Sequence, residues 1–230
     1  MKKLLSFMCF VVLGTAVSFA ESDLQVQAGV QYTKVSSSIP VNLSLTTSDI
    51  DFSFDRIAAQ LNITNYNLFN VNSRFQVGFM ESIGGYYGVT GNNQIKNDEL
   101  GVSYHPDGAE ALGVSALVGP ALAIKLNNVV KLQGAFGFCC DFNSDIFSNS
   151  ETATVSTLGL AYGYGADVEM KFIPNGVVSP VIGFRYTNTK SKPLLDYTIN
   201  TEVINASDTT KSAEVSYQSF LAIIGLSINL

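Results

Sequence analysis

Residues 112–138 read LGVSALVGPALAIKLNNVVKLQGAFGF. Val114, Ala116, Val118, Pro120, Leu122, Ile124 and Leu126 alternate with Gly113, Ser115, Leu117, Gly119, Ala121, Ala123 and Lys125. After Asn127 and Asn128 a second run places Val130, Leu132, Gly134, Phe136 and Phe138 against Lys131, Gln133, Ala135 and Gly137. Strict alternation on both sides of an Asn-rich turn predicts a β-hairpin with one greasy face and one small or polar face. Keeping Leu126 and Val130 on the same face requires them to pair, so the turn is residues 127–129. If the pattern repeats along the chain with nothing left to cover the greasy face, that face meets lipid.

The N-terminus has a separate role. Lys2 and Lys3 precede an apolar run over residues 4–17, and Ser18, Phe19 and Ala20 end it with small residues at both positions a signal peptidase reads. Residues 1–20 are therefore expected to be a cleaved secretory signal peptide, too short for a comfortable membrane helix. The remaining residues, 21–230, form a single barrel domain. Loss of Lys2 and Lys3 takes the net charge from −6 to −8. Such acidity argues against nucleic acid, whose binding rests on neutralising phosphates. Cys139 and Cys140 are the only cysteines after residue 20. Two thiols without a nearby histidine do not make a zinc site, and no metal or cofactor is expected. They read as one inward and one outward residue at a strand end.

Alternation continues along the chain. Residues 23–35 oppose Leu24, Val26, Ala28, Val30 and Tyr32 to Gln25, Gln27, Gly29, Gln31 and Thr33. Three inward glutamines suit a barrel with a polar interior. Further strands are expected at 56–64, 74–83, 155–172, 177–188 and 212–230, beside the hairpin of the opening. Residues 65–73 and 173–176 read as short turns. Residues 36–54, 84–108, 139–154 and 189–211, rich in Ser, Asn, Asp and Gly, read as long loops. Eight strands with alternating short and long connections give an all-β, eight-stranded antiparallel transmembrane barrel with both termini on the periplasmic side. A ten-stranded barrel, using 50–54 and part of 84–108 as strands, and a soluble lipocalin-like barrel are the alternatives. Pro120 and Pro180 inside strands should each mark a break in pairing. The inner face of the last strand carries Leu221 and Ile223, which makes its register the least determined.

The signal peptide, strand count, loop rhythm and terminal strand SFLAIIGLSINL together resemble the small outer-membrane barrels of the OmpA, OmpX and OmpW kind. The resemblance is architectural. It implies the bacterial outer membrane as location, and outer-membrane lipid and the barrel-assembly machinery as partners. Family members usually end in Phe, whereas this chain ends in Asn229 and Leu230.

The inward positions collect Arg56, Arg74, Lys125, Lys131, Asp167, Glu169, Lys171 and Arg185. In so narrow a barrel these charges are expected to pair and plug the lumen. Arg185 is placed opposite Gly165 and diagonal to Asp167. Tyr32, Tyr66, Tyr86, Tyr87, Tyr104, Tyr162, Tyr164 and Tyr186 are candidates for interfacial girdles. Ser103 and His105 resemble, in spacing, the Ser and His of outer-membrane lipid A deacylases, but in reversed order, in a loop and followed by Pro106. The expected function is a non-enzymatic, porin-like structural barrel or OmpW-like conduit for small molecules. Adhesion to host or extracellular ligands through the long loops is the alternative, and a lipid A-modifying enzyme at His105 the more remote one.

Overall fold

The computed structural model describes residues 22–43, 46–72, 74–97, 101–105, 110–149, 153–191, 194–200, 205–208 and 214–229. The expected signal peptide lies outside them. The described strands are β1 (Ser22–Leu43), β2 (Thr46–Asn70), β3 (Phe75–Asn97), β4 (Val102–Tyr104), β5 (Glu110–Lys125), β6 (Val130–Asn149), β7 (Ala153–Phe172), β8 (Val178–Ser191), β9 (Leu194–Asn200), β10 (Asn205–Asp208) and β11 (Val215–Asn229). Eight of them close a ring of antiparallel neighbours, β1–β2–β3–β5–β6–β7–β8–β11 and back to β1. The short β4, β9 and β10 extend this wall at one end.

Register fixes the shape. Paired residues can be followed round the wall from Gln27 through Asn62, Gly84, Ser115, Asp141, Ala161, Ser191 and Val215 to Ser37. The path returns to β1 ten residues from its start. Eight strands with that stagger tilt by about 40° and leave an interior that side chains can fill. Every main strand has a paired neighbour on both sides, so outside a short interruption between β5 and β6 lipid meets side chains and not backbone. Val26, Val30, Ile57, Leu61, Phe79, Phe136, Phe184 and Ile224 point outward and are exposed, whereas Gln25, Gln27, Gln60, Asn62, Gln76 and Gln133 are buried inside. That inversion of the soluble pattern excludes the lipocalin-like alternative. The ten-strand alternative also falls, because Ile50–Phe54 lies within β2 and Gly84–Asn97 within β3.

The expected long loops are largely strand. β1 and β2 stay paired up to Leu43 opposite Thr46, and β6 and β7 up to Asn149 opposite Ala153. Ser, Thr and Asn are turn-formers in sequence, but above the membrane both faces of a hairpin are wet and polar residues extend the ladder without penalty. The 127–129 turn has the expected length. Leu126 donates its amide to the Val130 carbonyl at 3.0 Å, and Asn127 Oδ1 accepts the Val129 and Val130 amides at 2.7 and 2.8 Å.

The prolines differ. Between β5 and β6 pairing stops after Val118 opposite Phe138 and resumes at Ala121 opposite Ala135, with register unchanged. Pro120 lies in that gap. Pro180 leaves the β8–β11 ladder continuous, pairing with Leu226, but it ends the β7–β8 ladder, which stops at Lys171 opposite Val181 although β7 runs to Phe172. Leu221 and Ile223 do point inward and are buried. Glycine makes room for them: Gly29 and Gly183 flank Ile223, and a Cβ on Gly29 would stand 2.7 Å from Leu221 Cδ1.

Candidate functional site

The lumen is the chemically distinctive part of the molecule. Among the described residues it buries four cations, Arg56, Lys131, Lys171 and Arg185, and four anions, Asp23, Asp141, Asp167 and Glu169. Strand alternation places each of them inward. An equal count limits the field of so dry a core.

The charges fall into three tiers. At the turn-bearing end Asp23 takes Lys171 Nζ at 3.0 Å and Lys131 Nζ at 3.5 Å, and also accepts Ser227 Oγ. Lys171 also donates to Asn229 Oδ1 at 2.6 Å, and the Asn229 amide caps the carbonyls of Pro174 and Gly176. The first and last strands are thus tied through one carboxylate. In the middle tier Arg185 Nε meets Asp167 Oδ2 at 2.8 Å, and Tyr66 Oη donates to Asp167 Oδ1 at 2.7 Å. Arg185 Nη1 reaches Ser82 Oγ at 2.9 Å. Glu169 lies between two amides, with Gln27 Nε2 on Oε1 at 2.6 Å and Gln133 Nε2 on Oε2 at 3.0 Å. In the upper tier the Arg56 guanidinium covers the Tyr86 ring at 4.4 Å and donates to Thr33 Oγ1 at 3.2 Å. Asp141 accepts Thr189 Oγ1 at 3.0 Å.

Arg56, Lys131, Asp167, Glu169, Lys171 and Arg185 therefore occupy the lumen. Lys125 is half-buried at the turn end of β5, opposite Lys131. Arg74 does not belong to the lumen. It is exposed in the β2–β3 turn, where Asn72 Oδ1 accepts the Arg74 and Phe75 amides and delays the strand to Phe75. Arg185 stands opposite Asp167 itself, and Gly165 opposite Thr187, because the β7–β8 turn is two residues longer than expected. Tyr66 and Tyr86 are buried lumen residues, not girdle residues, while Tyr32, Tyr87, Tyr162 and Tyr164 are exposed on the outside. The Tyr104 side chain lies outside what the structure describes.

Asp23 and Asp141 were the anions missing from the sequence-derived set. Asp23 shares the parity of Gln25 and Gln27, a usable signal. Asp141 was hidden by its assignment to a loop. Next to the polar tiers lies an apolar patch of Tyr66, Leu68, Met80, Leu117, Ala121, Ala123, Ala135 and Cys139. It backs onto the Pro120 gap. Outside that gap a recess of about 460 Å³ on the lipid face is bordered by Pro120, Leu122, Leu132, Phe136 and Val168. Cys139 is buried, Cys140 half-buried, and neither forms a disulfide.

His105 Nδ1 lies 3.1 Å from the Asn93 carbonyl oxygen, and Ser103 is exposed. Asp98, Glu99 and Asp107 lie outside the described residues.

A closed antiparallel wall, an apolar exterior and a polar, charge-balanced interior define a transmembrane β-barrel of the bacterial outer-membrane kind. No family model matches the chain, and no curated protein matches it. Solved structures do. The chain is similar to outer membrane protein OprG from Pseudomonas aeruginosa, with a TM-score of 0.57 at 10% identity over 91% of this chain and 96% of that one. It is also similar to the outer membrane protease OmpT from Escherichia coli, with a TM-score of 0.51 at 10% identity over 94% and 99%. At this identity the likeness is one of fold, and it agrees with the architectural resemblance drawn from the sequence.

Proposed function

We propose that the protein is a non-enzymatic conduit for small apolar molecules, with its exit through the wall at Pro120. The observation that carries this reading is the two-pair interruption of the β5–β6 ladder beside an apolar recess on the lipid face bordered by Pro120, Leu122 and Phe136. The filled lumen argues against an axial water pore, since Lys171, Glu169 and Asp167 are almost wholly buried. The apolar patch behind the gap offers a small apolar solute a surface on the inner side. Proline removes the donor that would close the ladder. The test is uptake of a small apolar fluorophore by vesicles containing the barrel. Flux above the lipid background is expected, with ion conductance at background. Pro120→Val restores a donor and should reduce that flux. Flux equal to that of empty vesicles, or unchanged in the variant, sinks the proposal.

A second reading rests on the outer hairpins. Ser36, Ser38, Asp51, Ser53, Gln94 and Lys96 border a polar groove of about 390 Å³ on the extended β1–β2–β3 wall. Such a surface suits a polar extracellular ligand.

A further inference from the structure

Asp141 differs from the other lumen carboxylates in what it meets. Asp23 and Asp167 each touch a lysine or an arginine, and Glu169 is held by two carboxamides. Among the described residues Asp141 is in contact with no cation. Thr189 Oγ1 donates to its Oδ2 at 3.0 Å, and the Cys139 thiol lies 3.7 Å from its Oδ1. Arg56, in the same tier, turns its guanidinium to Tyr86 and Thr33. A carboxylate buried with only a hydroxyl and a thiol as donors is costly, because neither carries the opposite charge.

Register brings two further oxygens to it. Asp141 and Asn143 stand on β6 opposite Ala161 and Gly159 of β7, while Thr189 and Ser191 stand on β8 opposite Gly163 and Ala161. Small residues of β7 therefore separate two rows of polar side chains on the lumen face. Asn143 bears the same diagonal relation to Ser191 that Asp141 bears to Thr189. The lower pair is joined by a hydrogen bond, whereas Asn143 Oδ1 and Ser191 Oγ have no partner. Both residues are buried, at 1% and 3% exposure. Two orphaned oxygens above a carboxylate without a counter-ion form a set of acceptors that calls for positive charge.

We propose that Asp141, Asn143, Thr189 and Ser191 bind one calcium ion at the outer end of the lumen. The donor set is hard: a carboxylate, a carboxamide oxygen and two hydroxyls, the ligand class of calcium and magnesium. Among the described residues no three His, Cys, Asp or Glu side chains converge, so a transition metal lacks its usual ligands. Calcium fits better than magnesium, because four buried side chains must replace water on the ion and magnesium gives up water reluctantly. The Thr189 hydroxyl can donate to Asp141 and still offer a lone pair to the ion. Bound there, calcium joins β6 to β8 across β7 and supplies the counter-charge. A single carboxylate gives weak binding, roughly 10⁻⁴–10⁻³ M, the range of extracellular calcium modules.

Terbium luminescence tests the proposal. Terbium takes the same hard oxygen ligands and is excited through a nearby tyrosine ring; the chain has no tryptophan, and Tyr217 pairs with Thr189. On tyrosine excitation the barrel in micelles should sensitise terbium, and calcium should displace it. Asp141→Asn should abolish the calcium-displaceable signal, and Asn143→Leu and Ser191→Ala should each weaken it roughly tenfold. Asp51→Asn in the outer groove should change nothing. Heat-modifiable gel mobility verifies that each variant is folded. Unfolding temperature gives a second readout. Calcium should raise that of the wild type, and sodium chloride of equal ionic strength should not. Without calcium Asp141→Asn should be no less stable than the wild type, whereas a purely structural bond to Thr189 would make it less stable at every calcium concentration. A calcium response equalled by sodium or magnesium, or retained in full by Asp141→Asn, overturns the proposal. So does a loss of stability in Asp141→Asn that calcium does not affect.

Discussion

Arg185 and Asp167 face each other directly across the β7–β8 ladder, with Nε and Oδ2 2.8 Å apart inside the barrel. Both are almost completely buried, and Tyr66 and Ser82 satisfy further positions of the pair. A buried pair contributes little over an apolar replacement, but removing one partner strands the other charge. Arg185→Ala should therefore destabilise the barrel by about 3–5 kcal/mol. Replacing both with Arg185→Met and Asp167→Leu should recover much of that loss. Urea unfolding in micelles measures it. Equal stability of wild type and Arg185→Ala would show that the pair does not hold the wall.

Gly29 sits opposite Ile223 and beside Leu221, where the last strand turns two large apolar residues inward. A Cβ there would meet Leu221 Cδ1 at 2.7 Å and would approach the Ala222 carbonyl oxygen more closely still. Gly29→Val should destabilise by about 1–3 kcal/mol, the usual cost of overpacking. Leu221→Ala in the same chain should restore only part, because the backbone carbonyl cannot be trimmed. Complete restoration would locate the clash at Leu221 alone.

The wall was legible in the sequence because lipid outside and polar packing inside impose opposite demands on neighbouring residues. The parity of Val114, Val118 and Leu122 against Ser115, Leu117 and Ala121 carries straight into the structure. Strand length was not legible in the same way. Residues 36–43 and 46–54 carry Ser, Thr and Asp at turn-like density, yet both runs pair as strand. Local propensity favours turns there, and only the pairing partner reveals a ladder. The lumen was legible as a set of inward charges, but not as pairs. Arg185 meets Asp167 instead of Gly165 because cross-strand partners depend on turn length, and the residues between Phe172 and Val178 do not state it. Arg74 was misplaced for a related reason: β2 continues to Asn70, past the expected turn start at 65, and β3 begins at Phe75, so Arg74 falls in the turn that Asn72 holds.

Pro120 and Pro180 look equivalent in sequence and differ in the ladder. Pro180→Ala should leave unfolding and permeation unchanged within error, since its β11 pairing is continuous and it stands at the end of the β7 ladder instead of inside it. Pro120→Val should raise stability, because it supplies a donor within the β5–β6 gap; a net hydrogen bond contributes about 0.5–1.5 kcal/mol. Parallel urea titrations of both variants decide this. A gain for Pro180→Ala equal to that for Pro120→Val would mean that the gap is not special.

Above the membrane the β1–β2 hairpin continues in register from Ser37 opposite Phe52 to Leu43 opposite Thr46. Its upper part lies beyond the lipid belt. Replacing residues 38–51 with Asn-Gly would join Ser37 to Phe52 through a two-residue turn whose twist suits a hairpin. The shortened barrel should keep its heat-modifiable mobility, because every belt and lumen pair below Ser37 is untouched. It would lose Ser38 and Asp51 from the outer groove. If that groove binds an extracellular ligand, bacteria displaying the shortened protein should attach to cultured host cells no better than bacteria lacking it. Bacteria displaying the full protein should attach measurably more. Undiminished attachment by the shortened form would count against this groove as the binding surface, while loss of heat-modifiable mobility would show that the outer ladder is needed for the barrel itself.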